Sequence, residues 1–101
     1  MQQYIEYSVD TNGLRYSVLI FRFANGYFIA ITEGDEHKLG YLGIATPNSV
    51  ITPLKSDLYA KMISQRIASI SNKLCMVSIN AKEINPINMK KLMNSIMERI
   101  G

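Results

Sequence analysis

The alternation of apolar and polar residues predicts a hairpin with two apolar faces. Residues 14–33 form two strands joined at Asn25-Gly26, a pair that favours two-residue hairpin turns because both positions tolerate positive φ. Since successive side chains of a strand point to opposite faces, Ile20 and Phe21 represent the two faces. Each face carries large apolar side chains, whereas an antiparallel sheet in water commonly keeps one polar face. The rest of the chain must cover one face, and the other is left for a functional contact.

The positions of the turns set the predicted pairing of the strands. With residues 24–27 as the turn, Phe23 pairs with Phe28. A second cluster of turn residues precedes this hairpin, and it pairs Val9 with Leu14.

The remaining pattern predicts further strands and two amphipathic helices. Alternation with a period of two marks strands, and apolar residues three and four positions apart mark helices. Asn72 suits the end of the first helix and Asn85-Pro86 the start of the second. The predicted elements are strands over residues 2–9, 14–23, 28–33, 39–45 and 50–51, a helix that begins at Thr52-Pro53 or Ser56-Asp57, a strand over 74–80 and a helix up to Ile100.

The order β-β-β-β-(β)-α-β-α predicts a single α+β domain over residues 1–101, with a largely antiparallel sheet of five to six strands. Two helices cover one face of such a sheet and cannot cover both. We assign them to the Ile20 face, which is the more uniformly apolar, and Gly43 would let a helix approach the sheet there. The reverse assignment, with the helices on the Phe21 face, stays open.

The face opposite the helices is predicted to be a protein interface, since a contiguous exposed apolar patch usually marks one. A twofold axis would stack the sheets of two protomers about 10 Å apart and bury this face in a dimer. The predicted dimer-interface residues are Leu19, Phe21, Phe23, Phe28, Leu42 and Ile44.

Composition and charge narrow the class of protein. No apolar run reaches the ~18 residues that a membrane helix requires. The first residues lack the basic region and apolar core of a signal peptide, and a single cysteine excludes an internal disulfide, so we expect a cytoplasmic protein. The net charge of +3 permits an acidic partner without requiring nucleic acid.

Residues able to carry catalysis or bind a metal are scarce. His37, the only histidine, lies in the polar loop over residues 34–38, where we expect it to be solvated. Cys75 lies in a short apolar strand and is expected to be a buried, unreactive thiol. No carboxylates have the spacing of an acid and base pair, and no glycine-rich loop precedes a helix. We predict no catalytic, metal-binding or cofactor-binding residues, and by elimination a binding module.

The loop over residues 34–38 is also a candidate recognition surface. Loops carry recognition more often than packed elements do. This loop contains Asp35 and Glu36, which we predict to bind a partner protein.

Seven short segments occur in an order and spacing found in a known family. They are Tyr16-Ser17-Val18-Leu19-Ile20-Phe21-Arg22-Phe23, Gly26-Tyr27-Phe28-Ile29-Ala30-Ile31, Leu58-Tyr59-Ala60, Gln65-Arg66-Ile67-Ala68, Asn72-Lys73, Val77-Ser78-Ile79-Asn80 and residues 93–100. Together they resemble the small proteasome assembly chaperones, specifically the fourth member and its relative the third. The resemblance extends over most of the chain, from about Arg15 to Ile100.

The resemblance implies a non-catalytic fold of an antiparallel sheet flanked by two helices. It also implies a dimer, formed with a second copy or with a paralogous chaperone, that binds proteasome α subunits and helps them form the ring of the 20S particle. The alternative is a small basic dimeric nucleic-acid-binding protein, favoured by Lys90, Lys91 and Arg99. The aromatic residues do not alternate with basic ones on a sheet face, which counts against binding of single strands by stacking.

Overall fold

The computed structural model describes residues 4–51, 58–82 and 84–100. Within these ranges the elements follow the predicted order, and the α+β class is confirmed. The two predicted starts of the first helix, Thr52-Pro53 and Ser56-Asp57, lie outside the described residues. The elements are β1 (Tyr4–Thr11), β2 (Leu14–Phe23), β3 (Gly26–Glu33), β4 (Tyr41–Thr46), β5 (Ser49–Ile51), α1 (Leu58–Ser71), β6 (Leu74–Asn80) and α2 (Pro86–Ile100).

The six strands form one mixed sheet in the order β1-β2-β3-β6-β4-β5. β6 lies between β3 and β4, and it runs parallel to β3 and antiparallel to β4. The prediction of a largely antiparallel sheet is therefore partly wrong. A parallel pair requires a crossover connection, and β4, β5 and α1 provide it between β3 and β6. The sequence of β6 suits a central position because apolar residues lie on both of its faces.

The register of the β2–β3 hairpin differs from the prediction by two residues. Phe23 pairs with Gly26 rather than with Phe28, so the turn consists of residues 24–25. Gly26 therefore lies in β3, where it has no positive φ. Its glycine character is required by the neighbouring strand, because a Cβ at this position would collide with the backbone carbonyl of Leu74 in β6.

The β1–β2 hairpin contains the turn expected of an Asn-Gly pair. Asn12 and Gly13 have φ of 53° and 78°, and Thr11 pairs with Leu14 on either side of them. The predicted pairing of Val9 with Leu14 is thus also wrong by two residues. Because a shift of two residues leaves every side chain on its original face, the predicted division of the sheet into two faces is retained.

The two helices cover the Ile20 face, so the reverse assignment is excluded. α1 packs on β4 and β6, while α2 reaches β1. Gly43 permits the close packing of α1, because a Cβ there would collide with the backbone of Ala60. The core includes Tyr16, Val18, Ile20, Ile29, Ile31, Ile63, Ile67, Cys75, Val77, Leu92 and Ile96.

A buried asparagine fixes the start of α2 on the first hairpin. Asn85 caps the helix, as predicted, by accepting a hydrogen bond from the Asn88 backbone N–H at 2.8 Å. The Asn88 side chain accepts a hydrogen bond from Thr11 Oγ1 at 3.0 Å and donates one to the Tyr16 hydroxyl at 3.1 Å. Both ends of this buried amide are therefore satisfied, and the helix is anchored by polar as well as apolar contacts.

Candidate functional site

The face of the sheet opposite the helices, here called the open face, consists of two unlike halves. Toward one end, polar side chains such as Ser17, Thr32 and Ser78 project from the strands. Toward the other end, large apolar side chains project from the same strands. The chain itself covers the polar half with residues 34–40, here called the strap.

Hydrogen bonds to the sheet hold the strap in place. Ser17 Oγ donates to the carbonyl of Gly34 at 2.6 Å, and the N–H of Gly40 donates to Ser78 Oγ at 2.8 Å. Between these points, Thr32 Oγ1 donates to the Lys38 carbonyl at 3.1 Å and accepts from the Lys38 N–H at 3.0 Å. Ser17, Thr32 and Ser78 are buried as a result. The polar half of the open face is thus closed by backbone groups of the same chain.

His37 reaches from the strap to β1. Its Nε2 lies 2.5 Å from Glu6 Oε2, and its side chain is 31% exposed. His37 is an exposed loop residue, as expected, and its ring also has a structural partner that lies 31 residues away in the sequence. No local pattern could have predicted this contact.

Asp35 and Glu36 lie on the outside of the strap. Their side chains are 84% and 83% exposed. The nearest cations are Arg15 Nη1, 3.8 Å from Asp35, and Lys38 Nζ, 3.9 Å from Glu36. Ion pairs this exposed contribute little to stability, so both carboxylates remain accessible to a partner.

The other half of the open face carries an apolar patch. All six predicted interface residues lie on it, and the structure adds Tyr4 and Met76. Phe21 and Phe23 are 36% and 58% exposed. The patch residues are Tyr4, Leu19, Phe21, Phe23, Phe28, Leu42, Ile44 and Met76.

One row of the apolar patch crosses five neighbouring strands. The paired positions are Tyr4, Phe21, Phe28, Met76 and Ile44, in that order across the sheet. Phe21 lies at the centre of an aromatic cluster, with ring centroids 5.8 Å from Tyr4 and 6.3 Å from Phe28. Met76 could not be placed in this row from the sequence, because its position depends on the insertion of β6 between β3 and β4.

The strap ends where the apolar patch begins. A shallow cavity of about 290 Å³ marks this boundary. It is lined by Leu19, Phe21, Phe28 and Ala30 from the sheet and by His37, Lys38 and Leu39 from the strap. Leu39 is 72% exposed, so the strap itself adds an apolar side chain at the margin of the patch.

The single cysteine of the chain is buried. Burial raises the pKa of the Cys75 thiol to about 12, so it stays protonated in the core at neutral pH. Among the described residues, no three His, Cys, Asp or Glu side chains are placed to hold a metal ion. None of the helices in these ranges is long and apolar enough to cross a membrane.

No protein-family model matches the sequence, and no curated protein does. The fold has a counterpart among solved structures, in a chain from the crystal structure of a novel chaperone complex for yeast 20S proteasome assembly. The match covers 97% of each chain with a TM-score of 0.62 and 16% sequence identity. The chain therefore shares the fold of a subunit of a proteasome assembly chaperone complex.

Proposed function

We propose that the protein is a non-catalytic dimeric chaperone that binds proteasome α subunits and assists assembly of the 20S α ring. The shared fold supports the chaperone class, and the closer relationship to the fourth proteasome assembly chaperone is part of the proposal. One observation carries it: a row of apolar side chains crosses five strands on a face that the described helices leave open. The proposal includes a cytoplasmic location and no cofactor or metal.

The apolar patch is the proposed dimer interface, with a second copy or a paralogous chaperone as the partner. Each large apolar side chain removed from water contributes roughly 1.5–3 kcal/mol. In a twofold interface every patch residue is buried twice, once from each protomer. Only the exposed fractions of Phe21, Phe23 and their neighbours remain to be gained, and summed over both protomers we expect them to exceed the association cost, which is about 4–15 kcal/mol.

The strap is the proposed contact for the α subunit. It borders the apolar patch, so its outer surface would lie at the rim of the dimer. Asp35 and Glu36 are its most exposed charges, and rim charges act mainly on the association rate. The proposal is that a basic surface of the α subunit meets these two carboxylates.

Affinity purification of the tagged chain from its native cytosol, followed by identification of the bound chains, tests the function. We expect α subunits without mature 20S particles, because an assembly chaperone leaves before the particle is complete. If a Phe21→Glu variant recovers the same chains as the wild type, binding of α subunits does not depend on dimerisation. The absence of α subunits from every wild-type preparation would contradict the proposal.

Nucleic acid is the competing ligand in that experiment. Binding driven by phosphate contacts falls steeply as salt rises. If nucleic acid stays bound to the purified chain above ~0.2 M salt while α subunits are absent, the protein is a nucleic-acid-binding protein instead.

A further inference from the structure

The C-terminal part of the chain, which contains both helices, carries most of the positive charge. Seven of the eleven Lys and Arg residues, but only two of the eight Asp and Glu residues, lie from residue 58 onward. α1 has no acidic residue, and Glu98 is the only one in α2. The charge asymmetry means that the side of the molecule opposite the apolar patch attracts acidic partners.

The two helices run side by side in the same direction and leave a groove between them. Their C-terminal ends both lie near the β2–β3 turn, since β6 starts beside Gly26 directly after α1 and Arg22 bonds to the carbonyl of Arg99 at the end of α2. A cavity of about 280 Å³ lies in the groove between the C-terminal parts of the two helices. A larger cavity of about 520 Å³ lies along α1, and residues 46–48 near the β4–β5 turn and Met93 of α2 complete its lining. The apolar lining consists of Met62, Ile67 and Ile70 from α1 and Met93, Met97 and Ile100 from α2. The larger cavity also has a polar lining, from Thr46, Asn48, Gln65 and Ser69.

The apolar lining of the groove is accessible. Met62 is 39% exposed and Ile70 is 56% exposed. Met93, Met97 and Ile100 are half-buried along the facing side of α2. Methionine side chains are flexible and polarisable, so a lining of this kind adapts to different apolar side chains of a partner.

Two basic side chains, Arg66 and Lys73, border the groove. Arg66 lies in the wall of the larger cavity, and Lys73 lies in the wall of the smaller one. Lys73 Nζ sits 5.6 Å above the ring of Tyr27, which lines the same cavity. Neither cation forms an ion pair with any carboxylate of the described residues. Both are therefore available to carboxylates of another molecule.

We infer that the groove between α1 and α2 binds an acidic amphipathic segment of a partner protein. Apolar side chains of the segment would lie on Met62, Ile70, Met93 and Met97, and its carboxylates would meet Arg66 and Lys73. This is recognition of an amphipathic segment in a groove, with charge complementarity setting its orientation. The inference rests on the proposed function only in taking the chaperone's client as the source of the segment.

Binding of defined peptides tests the groove directly. The probe is a labelled synthetic helical peptide with Leu at positions i, i+3, i+4 and i+7 and Glu at the remaining exposed positions. Its control is the same peptide with every Glu replaced by Lys. We expect the acidic peptide to bind the wild-type protein at least about tenfold more tightly than the basic one, because the rim of the groove is positive.

Matched charge reversals locate the site. Arg66→Glu with Lys73→Glu should weaken binding of the acidic peptide at least about tenfold at low salt. Lys82→Glu with Lys91→Glu makes the same change in net charge away from the groove, since Lys82 lines a cavity at the other end of the helices and Lys91 bonds to the Asp10 carbonyl. This control should change binding by less than about threefold. Ile70→Ser tests the apolar contact and should weaken binding about threefold or more.

The outcomes separate the groove from the proposed function. Equal affinity of the wild type for the acidic and basic peptides would refute the inference that the groove binds an acidic segment. Equal losses of affinity in the two double variants would also refute it. If a 20-nucleotide single-stranded DNA binds more tightly than the acidic peptide and this binding is lost in the Arg66→Glu, Lys73→Glu variant, the surface binds nucleic acid and the inference is refuted. Selective peptide binding by a protein that never recovers α subunits would uphold the groove and refute the chaperone function.

Discussion

The two halves of the open face differ in how they are covered. In the polar half, Ser17, Thr32 and Ser78 are buried under the strap and bonded to its backbone. In the apolar half, Phe21 and Phe23 remain 36% and 58% exposed although they lie on the same strand as Ser17. A single sheet face is thus closed at one end by its own chain and left open at the other.

This difference in coverage follows from the chemical groups that a loop presents to a sheet. A strap presents N–H and carbonyl groups, and buried hydroxyls need such partners. Aromatic side chains gain nothing from backbone polar groups and require an apolar surface instead. The two described helices lie on the opposite face, so we propose that another molecule covers the patch.

Substituting the centre of the apolar patch should have the largest effect. Phe21→Glu places an unpaired carboxylate in the interface, at a cost of roughly 3–5 kcal/mol, and should dissociate the dimer. Tyr41→Glu is the control, since Tyr41 is a 53% exposed aromatic residue on the helical side of the sheet. Native mass spectrometry should show monomers for the first variant and dimers for the second. Dimers in both would show that the interface lies elsewhere.

Removing a strap anchor should have the next largest effect. Ser78→Ala deprives the Gly40 N–H of its acceptor, so the free energy of unfolding should fall by about 1–2 kcal/mol. Ser8→Ala, an exposed serine on the same face, should change it by less than about 0.5 kcal/mol. Urea denaturation at one protein concentration measures both. Equal losses would mean that the hydrogen bonds of the strap do not hold it on the sheet.

Reversing the charges of the strap should act on binding rather than on the fold. Asp35→Lys with Glu36→Lys should slow association with an α subunit about three- to tenfold at low salt, and the effect should shrink as salt rises. Asp35→Asn with Glu36→Gln should give a smaller change of the same sign. Surface plasmon resonance measures the rates. Unchanged association at low salt would exclude the strap as the client contact.

The smallest effect is expected at the histidine of the strap. The His37–Glu6 pair is partly exposed, so His37→Ala should lower the free energy of unfolding by less than about 1 kcal/mol. The combination with Glu6→Gln should add little to this loss. A loss greater than that of Ser78→Ala would make this pair, and not the serine anchors, the principal fastening of the strap.

Local pattern was enough to predict the elements and the two faces of the sheet. The alternation through β2 and β3 separates Ile20 from Phe21 whatever the register, because each strand residue changes face with every step. The Asn85-Pro86 helix start was equally local, since the cap and the first turn are neighbours in sequence.

Pairing over long distances could not be read from the same pattern. A shift of two residues in each hairpin keeps every side chain on the same face, so the alternation of apolar and polar residues cannot reveal it. Gly26 is required by its close contact with β6 and lies outside the turn. The strap is fastened to Ser78 and Asn80, which lie about 40 residues further along the chain. Only the insertion of β6 between β3 and β4 brings these anchors to the strap, and it also places Met76 in the apolar patch.

Sedimentation equilibrium of the wild-type chain alone, across the micromolar range, tests whether a second copy of the same chain covers the apolar patch. We expect the mass of two chains, because the burial of Phe21, Phe23 and Phe28 from both protomers should outweigh the cost of association. A single chain throughout that range would contradict it.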